Sequence, residues 1–308
     1  MIESPTVFVL GAGANCSYGF PTGEQLKKHV AAAVRKSLND DARNFLLMQA
    51  FGAAPANEVQ PARCAAFAEA LENAGHASID AFLNSNSHQL GFQTIGKGAI
   101  AQVLLEFEKK QFTRSSDDDW LDYLFKIMLD GTNRPEDFVH SNKVSFITFN
   151  YDRLLESWFF GRLKYTFGLD DNTAIRLLRD IPIHHVYGML GNFPNETNSD
   201  QHEWIGASKG IRTIFDTGHD QQMLDSAKSL LESAHIICLL GFGFHRENIE
   251  LLNLVKHASA CKGIVASSRY EILDAEWERL RRPFLGIKIH AGHESYKCLA
   301  ALRNLPIF

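Results

Sequence analysis

The segment Gly11-Ala12-Gly13-Ala14-Asn15-Cys16-Ser17-Tyr18-Gly19-Phe20-Pro21 directly follows the apolar run Thr6-Val7-Phe8-Val9-Leu10. Glycines placed there allow a sharp bend and a close backbone approach to a diphosphate, and a following helix would offer its free N–H groups. A strand-to-helix turn needed only for packing has the same composition, so both readings stand at this point. The third glycine comes too late for G-x-G-x-x-G, which disfavours the usual hydride-transfer dehydrogenase. Cys238-Leu239-Leu240-Gly241-Phe242-Gly243-Phe244-His245-Arg246-Glu247-Asn248 repeats the order of apolar run, Gly-x-Gly and helix start. Such a second turn could cradle the other half of a dinucleotide, whereas His245 and Asn248 could equally serve as helix caps.

Two further segments carry polar groups at the ends of apolar runs. In Thr148-Phe149-Asn150-Tyr151-Asp152, an Asn and an Asp two apart in extended chain point to the same side. The amide both donates and accepts, which suits orienting a sugar hydroxyl or a water, while the carboxylate accepts only. Asn150 or Asp152 could also cap a helix starting at Arg153-Leu154-Leu155-Glu156. His184-His185-Val186-Tyr187-Gly188-Met189-Leu190-Gly191 closes a third run. A histidine beside a crevice is a candidate general base near neutral pH, but adjacent residues on a strand face opposite ways, so one of the pair must point elsewhere.

The elements that would position these groups follow from hydrophobic periodicity. Thr6 to Leu10, Val144 to Phe149, Ile183 to Tyr187, His235 to Leu240, Gly263 to Ala266 and Ile287 to His290 read as strands. Several are continuously apolar, as expected when helices cover both faces. Helical patterns such as Asp220 to Glu232 lie between them, which predicts an α/β fold with a Rossmann-like doubly wound parallel sheet. Between the first two strands, helical periods recur around Glu24 to Ser37, Ala62 to Asn73, Ala99 to Lys110 and Trp120 to Leu129. They predict a mostly helical insertion, with residues 27–142 set apart from a dinucleotide-binding domain of residues 1–26 and 143–308. Ser115-Ser116-Asp117-Asp118-Asp119 reads as a solvated loop leading into a helix.

Composition narrows the classes. With 45% apolar and 22% charged residues the chain reads as globular, and its net charge of -5 argues against broad attraction to nucleic acid. No run approaches the apolar length of a membrane span, and the start lacks a basic n-region, so a cytoplasmic protein is expected. Cys16, Cys64, Cys238, Cys261 and Cys298 contain no C-x-x-C pair, which suits reduced thiols better than a zinc site or a disulfide framework. Cys238 and Cys261, within apolar runs, are expected to pack in the core.

Taken together, the segments resemble the sirtuin superfamily. Sirtuins carry G-A-G-x-S with a later glycine and proline at the spacing of Gly19 and Pro21, then T-Q-N-x-D, matched by Thr148, Asn150 and Asp152, then H-G after a strand. The chain is more closely similar to bacterial sirtuin-like proteins of antiphage defence. Those share the F-V-L-G-A-G-A opening, P-T-G, S-I-D-x-F-L (Ser78 to Leu83), F-N-Y-D and L-G-F-G-F-H. The four-cysteine zinc module of deacylating sirtuins has no counterpart, and Thr22-Gly23-Glu24 stands where D-F-R would. Both departures point from deacylation toward outright consumption of NAD+.

The resemblance implies a set of roles. NAD+ is the substrate, cleaved to nicotinamide and ADP-ribose with no metal. Asn150 orients the ribose hydroxyl and the attacking water; Gly11, Ala12, Gly13, Ala14 and Asn15 hold the diphosphate side. Pro21, Thr22, Thr148, Asp152, Tyr187 and Gly188 line the nicotinamide side, and Gly241, Phe242, Gly243 and Asn248 the ribose and adenine half. Alignment on the glycine of H-G puts Tyr187 at the usual histidine position, so His185, two residues earlier, is expected to serve as base. A homo-oligomer or a partner such as a HerA-like ATPase or an Argonaute is expected to control the activity. A non-catalytic NAD+ or ADP-ribose sensor, an ADP-ribosyl transferase and a deacylase are the rival readings.

Overall fold

The computed structural model describes residues 1–39, 60–111, 117–194, 206–213 and 221–308. Six strands, β1 (Thr6–Leu10), β2 (Val144–Thr148), β3 (Ile183–His185), β4 (Ile236–Leu240), β5 (Ile264–Ser267) and β6 (Ile289–Ala291), form one sheet in the order β3-β2-β1-β4-β5-β6. Every pairing is parallel. All six runs expected to be strands contain strands: β1 has the expected bounds, β2 and β3 stop one and two residues early, β4 starts one residue late, and β5 and β6 start late and end one residue later than expected. The fold is α/β with a Rossmann-like doubly wound sheet. The strand order reverses direction between β1 and β4, and in such sheets ligands collect outside the strand ends at that switch point.

β1, β2 and β4 are buried at every position, which is why their sequences do not alternate. Phe8 of β1 lies level with Phe146 of β2 and Cys238 of β4, and the two phenyl rings stack with centroids 5.6 Å apart. Each such fully buried aromatic contributes on the order of 1.5–3 kcal/mol through removal from water. His184 and His185 alternate as a strand requires: His184 reaches Ser226 on the helix Gln221–Ser233, and His185 reaches Glu156 on the helix Leu154–Phe167. These two helices therefore cover opposite faces of the sheet. Asp220, at the expected start of the first, lies outside the described residues.

The stretch between β1 and β2 is helical among the described residues, with helices Gly23–Leu38, Pro61–Asn73, Ile79–Ser85, Phe92–Gln111, Trp120–Leu129 and Pro135–Ser141. Its apolar residues belong to the same continuous core as the sheet. Trp120 is the clearest link: fully buried, it packs against Phe8 and donates its indole N–H to the Ala14 carbonyl at 2.8 Å. A second link is ionic. The Glu108 carboxylate, on Phe92–Gln111, accepts from the Arg153 amide at 2.7 Å and from the Arg153 guanidinium, with both side chains nearly buried. Removing one partner of such a pair would strand a buried charge at a cost of about 3–5 kcal/mol. In the acidic run, Asp119 caps Trp120–Leu129 through the Asp122 amide, while Ser115 and Ser116 lie outside the described residues.

Among the described residues, no helix is long and apolar enough to cross a membrane. Cys238 is buried as expected, and Cys261 is only partly so.

Candidate functional site

A cavity of about 750 Å³ opens at the switch point. It falls within the size range of small-molecule and cofactor sites. One side is made by the two glycine turns, which lean directly on one another. The Gly11 amide donates to the Leu240 carbonyl at 3.0 Å and the Gly13 amide to the Gly241 carbonyl at 3.1 Å. A Cβ on Gly11 would sit 2.4 Å from the Gly241 carbonyl oxygen, and one on Gly241 would sit 1.9 Å from the Ala14 nitrogen. Gly241 is also left-handed, at φ +55°. Backbone contact between the turns thus accounts for these three glycines, and the same contact forms part of the cavity wall.

That contact narrows the expected diphosphate cradle. The Gly13 amide is committed to Gly241, and the Ala14 amide to the Gly11 carbonyl at 3.0 Å. After Gly11 the chain forms a 3-10 helix, Ala12–Tyr18, rather than an α-helix. Ala12 is the one residue of the 11–14 turn whose amide has no hydrogen-bond partner among the described residues.

Asn150 lies just beyond the C-terminal end of β2 and lines the cavity. Its amide nitrogen is fixed by the Thr148 hydroxyl at 3.0 Å, and its Nδ2 donates to the Gly11 carbonyl at 3.2 Å. The carboxamide is therefore held in one orientation between β1 and β2, with Nδ2 engaged. Thr148 serves it from behind and does not line the cavity.

The structure separates His185 from the site. β3 ends at His185, and the chain turns at once, the Gly188 amide donating to the His185 carbonyl at 3.1 Å. The regular strand that would have put His185 and Tyr187 on one side does not continue. Tyr187 lines the cavity, and its hydroxyl donates to Asn248 Oδ1 at 2.6 Å. His185 is buried, with Nδ1 2.8 Å from the Asn150 carbonyl and Nε2 2.8 Å from Glu156 Oε1. Burial alone would lower the imidazole pKa; the Glu156 carboxylate and the Asn150 carbonyl overcome it and hold the pKa above the ordinary value. With both nitrogens engaged, His185 braces Asn150 and has no lone pair to offer a substrate water. The expectation that it replaces the missing base is corrected on that ground.

Asp152 is also turned inward rather than toward a nicotinamide. Both carboxylate oxygens accept from Asn15 Nδ2, at 2.8 and 3.0 Å, and Oδ1 accepts from the Leu154 amide, the first of the helix Leu154–Phe167, at 3.2 Å. Burial, reinforced by the charge of Glu108, pushes its pKa up to about 7. Asn15 is buried with it. Ala14, Pro21 and Gly188 likewise do not line the cavity, whereas Ala12, Thr22, Phe242 and Gly243 do. Thr22 caps the helix Gly23–Leu38 through a reciprocal pair with Gln25, so the start of that helix faces the cavity. His245 occupies a cap position without a capping bond, and Asn248 holds Tyr187 instead.

Sequence reasoning missed several wall residues. Asp80 sits in the S-I-D-x-F-L segment, but nothing in that pattern reveals that its carboxylate accepts from the Tyr151 hydroxyl. Burial pushes its pKa up to about 6, partly offset by that hydrogen bond. Beyond β5, Ser268, Arg269 and Glu271 complete the far wall, and Ser268 Oγ accepts from the Gly241 amide at 2.8 Å. The thiols of Cys16 and Cys298 also line the cavity, their pKa values pushed up by burial to about 11 and about 12. Among the described residues, no group of three or more His, Cys, Asp or Glu is placed to hold a metal ion.

No family model matches the chain, and no curated protein is significantly similar to it.

Proposed function

We propose that this protein binds NAD+ at the β1–β4 switch point and hydrolyses its nicotinamide–ribose bond. The observation that carries the reading is Asn150: a fixed carboxamide in a cavity whose wall is built from both glycine turns. Nicotinamide in NAD+ is a cationic leaving group and needs no acid to depart. The protein must hold the ribose, stabilise oxocarbenium character and direct a water to the exposed carbon. In this reading the Asn150 carboxamide orients a ribose hydroxyl and the water, and Tyr187, fixed by Asn248, closes the same wall. The Ala12 amide meets the diphosphate, and Ser268, Glu271 and the Gly241–Gly243 turn take the adenosine half.

By the sequence resemblance, the reaction depletes NAD+ as a regulated effector of antiphage defence in the cytoplasm. Control comes from self-assembly or from a partner such as a HerA-like ATPase. The test is direct. Purified protein incubated with NAD+ should release nicotinamide, and Asn150→Ala should abolish release while leaving the melting transition intact. Near-normal turnover by that variant would remove the assignment.

One observation favours a second reading, a non-catalytic NAD+ or ADP-ribose sensor. Tyr187 stands where the sirtuin histidine would, and His185 does not reach the cavity. Binding of NAD+ by calorimetry without nicotinamide release would select it.

A further inference from the structure

The cavity has five carboxyl-bearing residues in its wall: Glu24, Asp80, Asp118, Glu247 and Glu271. Four have environments that explain them without substrate. Glu24 is exposed and paired with Lys28. Asp118 accepts from the Leu299 amide at 2.9 Å, tying the loop to the helix Cys298–Asn304. Glu247 and Glu271 are exposed at the rim. Asp80 differs from all of these. It is presented from the helix Ile79–Ser85, whose cap Ser78 accepts from the Ala81 amide at 3.2 Å, and it is half-buried, with burial raising its pKa.

The carboxylate is also anchored to the residue next to Asn150. The Tyr151 hydroxyl donates to Asp80 Oδ1, and Tyr151 is itself fixed, its carbonyl accepting from the Leu190 amide at 2.9 Å. The Tyr151 and Tyr187 rings lie 6.4 Å apart, and burial, with the charges of Asp80 and Glu247 adding to it, raises the Tyr187 pKa. Asp80, Tyr151 and Tyr187 are thus neighbours on the Asn150 side of the cavity. A half-buried carboxylate that is oriented by a phenol and faces the cavity, with its pKa raised to about 6, has the properties of a general base.

Resting on the NAD+ reading above, we propose that Asp80 is the catalytic base, taking the proton of the water that Asn150 orients. The C1′–N bond breaks and its electron pair neutralises the nicotinamide ring. The water oxygen bonds C1′, its proton passes to Asp80, and Asp80 later releases it to solvent. Tyr151 is the positioning residue: its hydrogen bond favours the ionised carboxylate and fixes its direction. Among the described residues, the phenols of Tyr151 and Tyr187 face Asp80, and burial holds the Tyr187 phenol well above its ordinary pKa.

The experiment measures nicotinamide release against pH, with NAD+ affinity by calorimetry, on wild type, Asp80→Asn and Tyr151→Phe. Wild-type kcat should fall on the acid side with an apparent pKa near 6. Asp80→Asn should lose about 10²–10⁴-fold in kcat with an affinity change below about threefold, and lose the acid limb. Tyr151→Phe should move that limb to higher pH, a shift that a merely structural contact would not produce and that remains readable if Asp80→Asn folds poorly. Turnover of Asp80→Asn close to wild type, or an acid limb unmoved in Tyr151→Phe, overturns the role of Asp80 alone. A wild type that binds NAD+ and releases no nicotinamide overturns the cleavage reading together with this one.

Discussion

His185 Nδ1 donates to the Asn150 carbonyl at 2.8 Å, because a carbonyl oxygen can only accept. One imidazole nitrogen is therefore protonated in every state of the pair, and the other shares its proton with Glu156. The histidine acts on the site through the backbone of Asn150. We expect His185→Gln, which can still donate to that carbonyl, to lower kcat by less than about tenfold, where loss of a general base costs about 10²–10⁴-fold. His185→Ala should instead lower the melting temperature, since it leaves the Glu156 carboxylate buried without its partner. Steady-state kinetics and thermal melts on the two variants separate these effects; a loss of 10²-fold or more in a well-folded His185→Gln would restore the histidine as base.

Asp152 predicts the sign of the pH dependence of stability. Burial raises its pKa from 3.8 to about 7, so between those values the folded protein binds a proton that the unfolded chain has lost. Stability must then fall as pH rises through that window. His185 works in the same direction, because a raised imidazole pKa gives stability that is full below its ordinary value and lost above. Asp152→Asn keeps an oxygen for the Leu154 amide but cannot titrate. Its melting temperature should vary less between about pH 5 and pH 8 than that of wild type. An unchanged slope would show that Asp152 is ionised throughout.

The strands and the switch point were legible in the sequence because buried parallel strands leave continuous apolar runs, and Gly-x-Gly turns mark their ends. Asn150 was legible for the same reason: its position depends on β2 alone. His185 was misread because its direction depends on where β3 stops, and the turn made by Gly188 has no signature in the spacing. Asp80 could not be found at all from local pattern. Its partner Tyr151 is 71 residues away, and only the packing of the insertion on the sheet brings them together. Asp152 shows the converse: a residue that accepts from the first amide of a helix and holds Asn15 matches a ligand motif without lining the cavity.

The contact between the glycine turns should tolerate no side chain on its inner side. In Gly241→Ala a new Cβ meets the Ala14 nitrogen at 1.9 Å and the Gly13 carbonyl carbon at 2.3 Å, at a left-handed φ. Neither backbone atom can move without breaking the turn, so we expect a loss of more than about 4 kcal/mol, which would deplete soluble protein. Gly243→Ala meets only the ring of His245, 2.9 Å away on an exposed side chain that can rotate aside. That variant should lose about 1 kcal/mol or less by denaturant melts. Equal losses in the two would mean that the turns do not bear on one another.

On the proposed NAD+ reading, the carboxylates of the wall predict which dinucleotide is preferred. Glu271 lines the cavity just past β5, held at φ +59° with its amide donating to the Glu294 carbonyl at 2.8 Å. Of the two cationic residues in the wall, Arg269 is already engaged by the Gly292 carbonyl at 2.6 Å and by Asp274 at 2.7 Å, and the Lys297 ammonium lies over the Tyr270 ring, 5.9 Å from its centroid. A 2′-phosphate on the adenosine ribose would bring about -1.5 to -2 of charge toward these carboxylates. A ribose hydroxyl would instead donate to one of them. We therefore expect kcat/KM for NADP+ to be at least about tenfold below that for NAD+, a difference of about 1.4 kcal/mol. Because the repulsion is electrostatic and partly exposed, the gap should shrink as salt is raised. Glu271→Arg should narrow it further by weakening NAD+ and admitting the phosphate. Equal use of the two dinucleotides by wild type would place the adenosine half away from Glu271, and the orientation of the bound molecule in the cavity would have to be reversed.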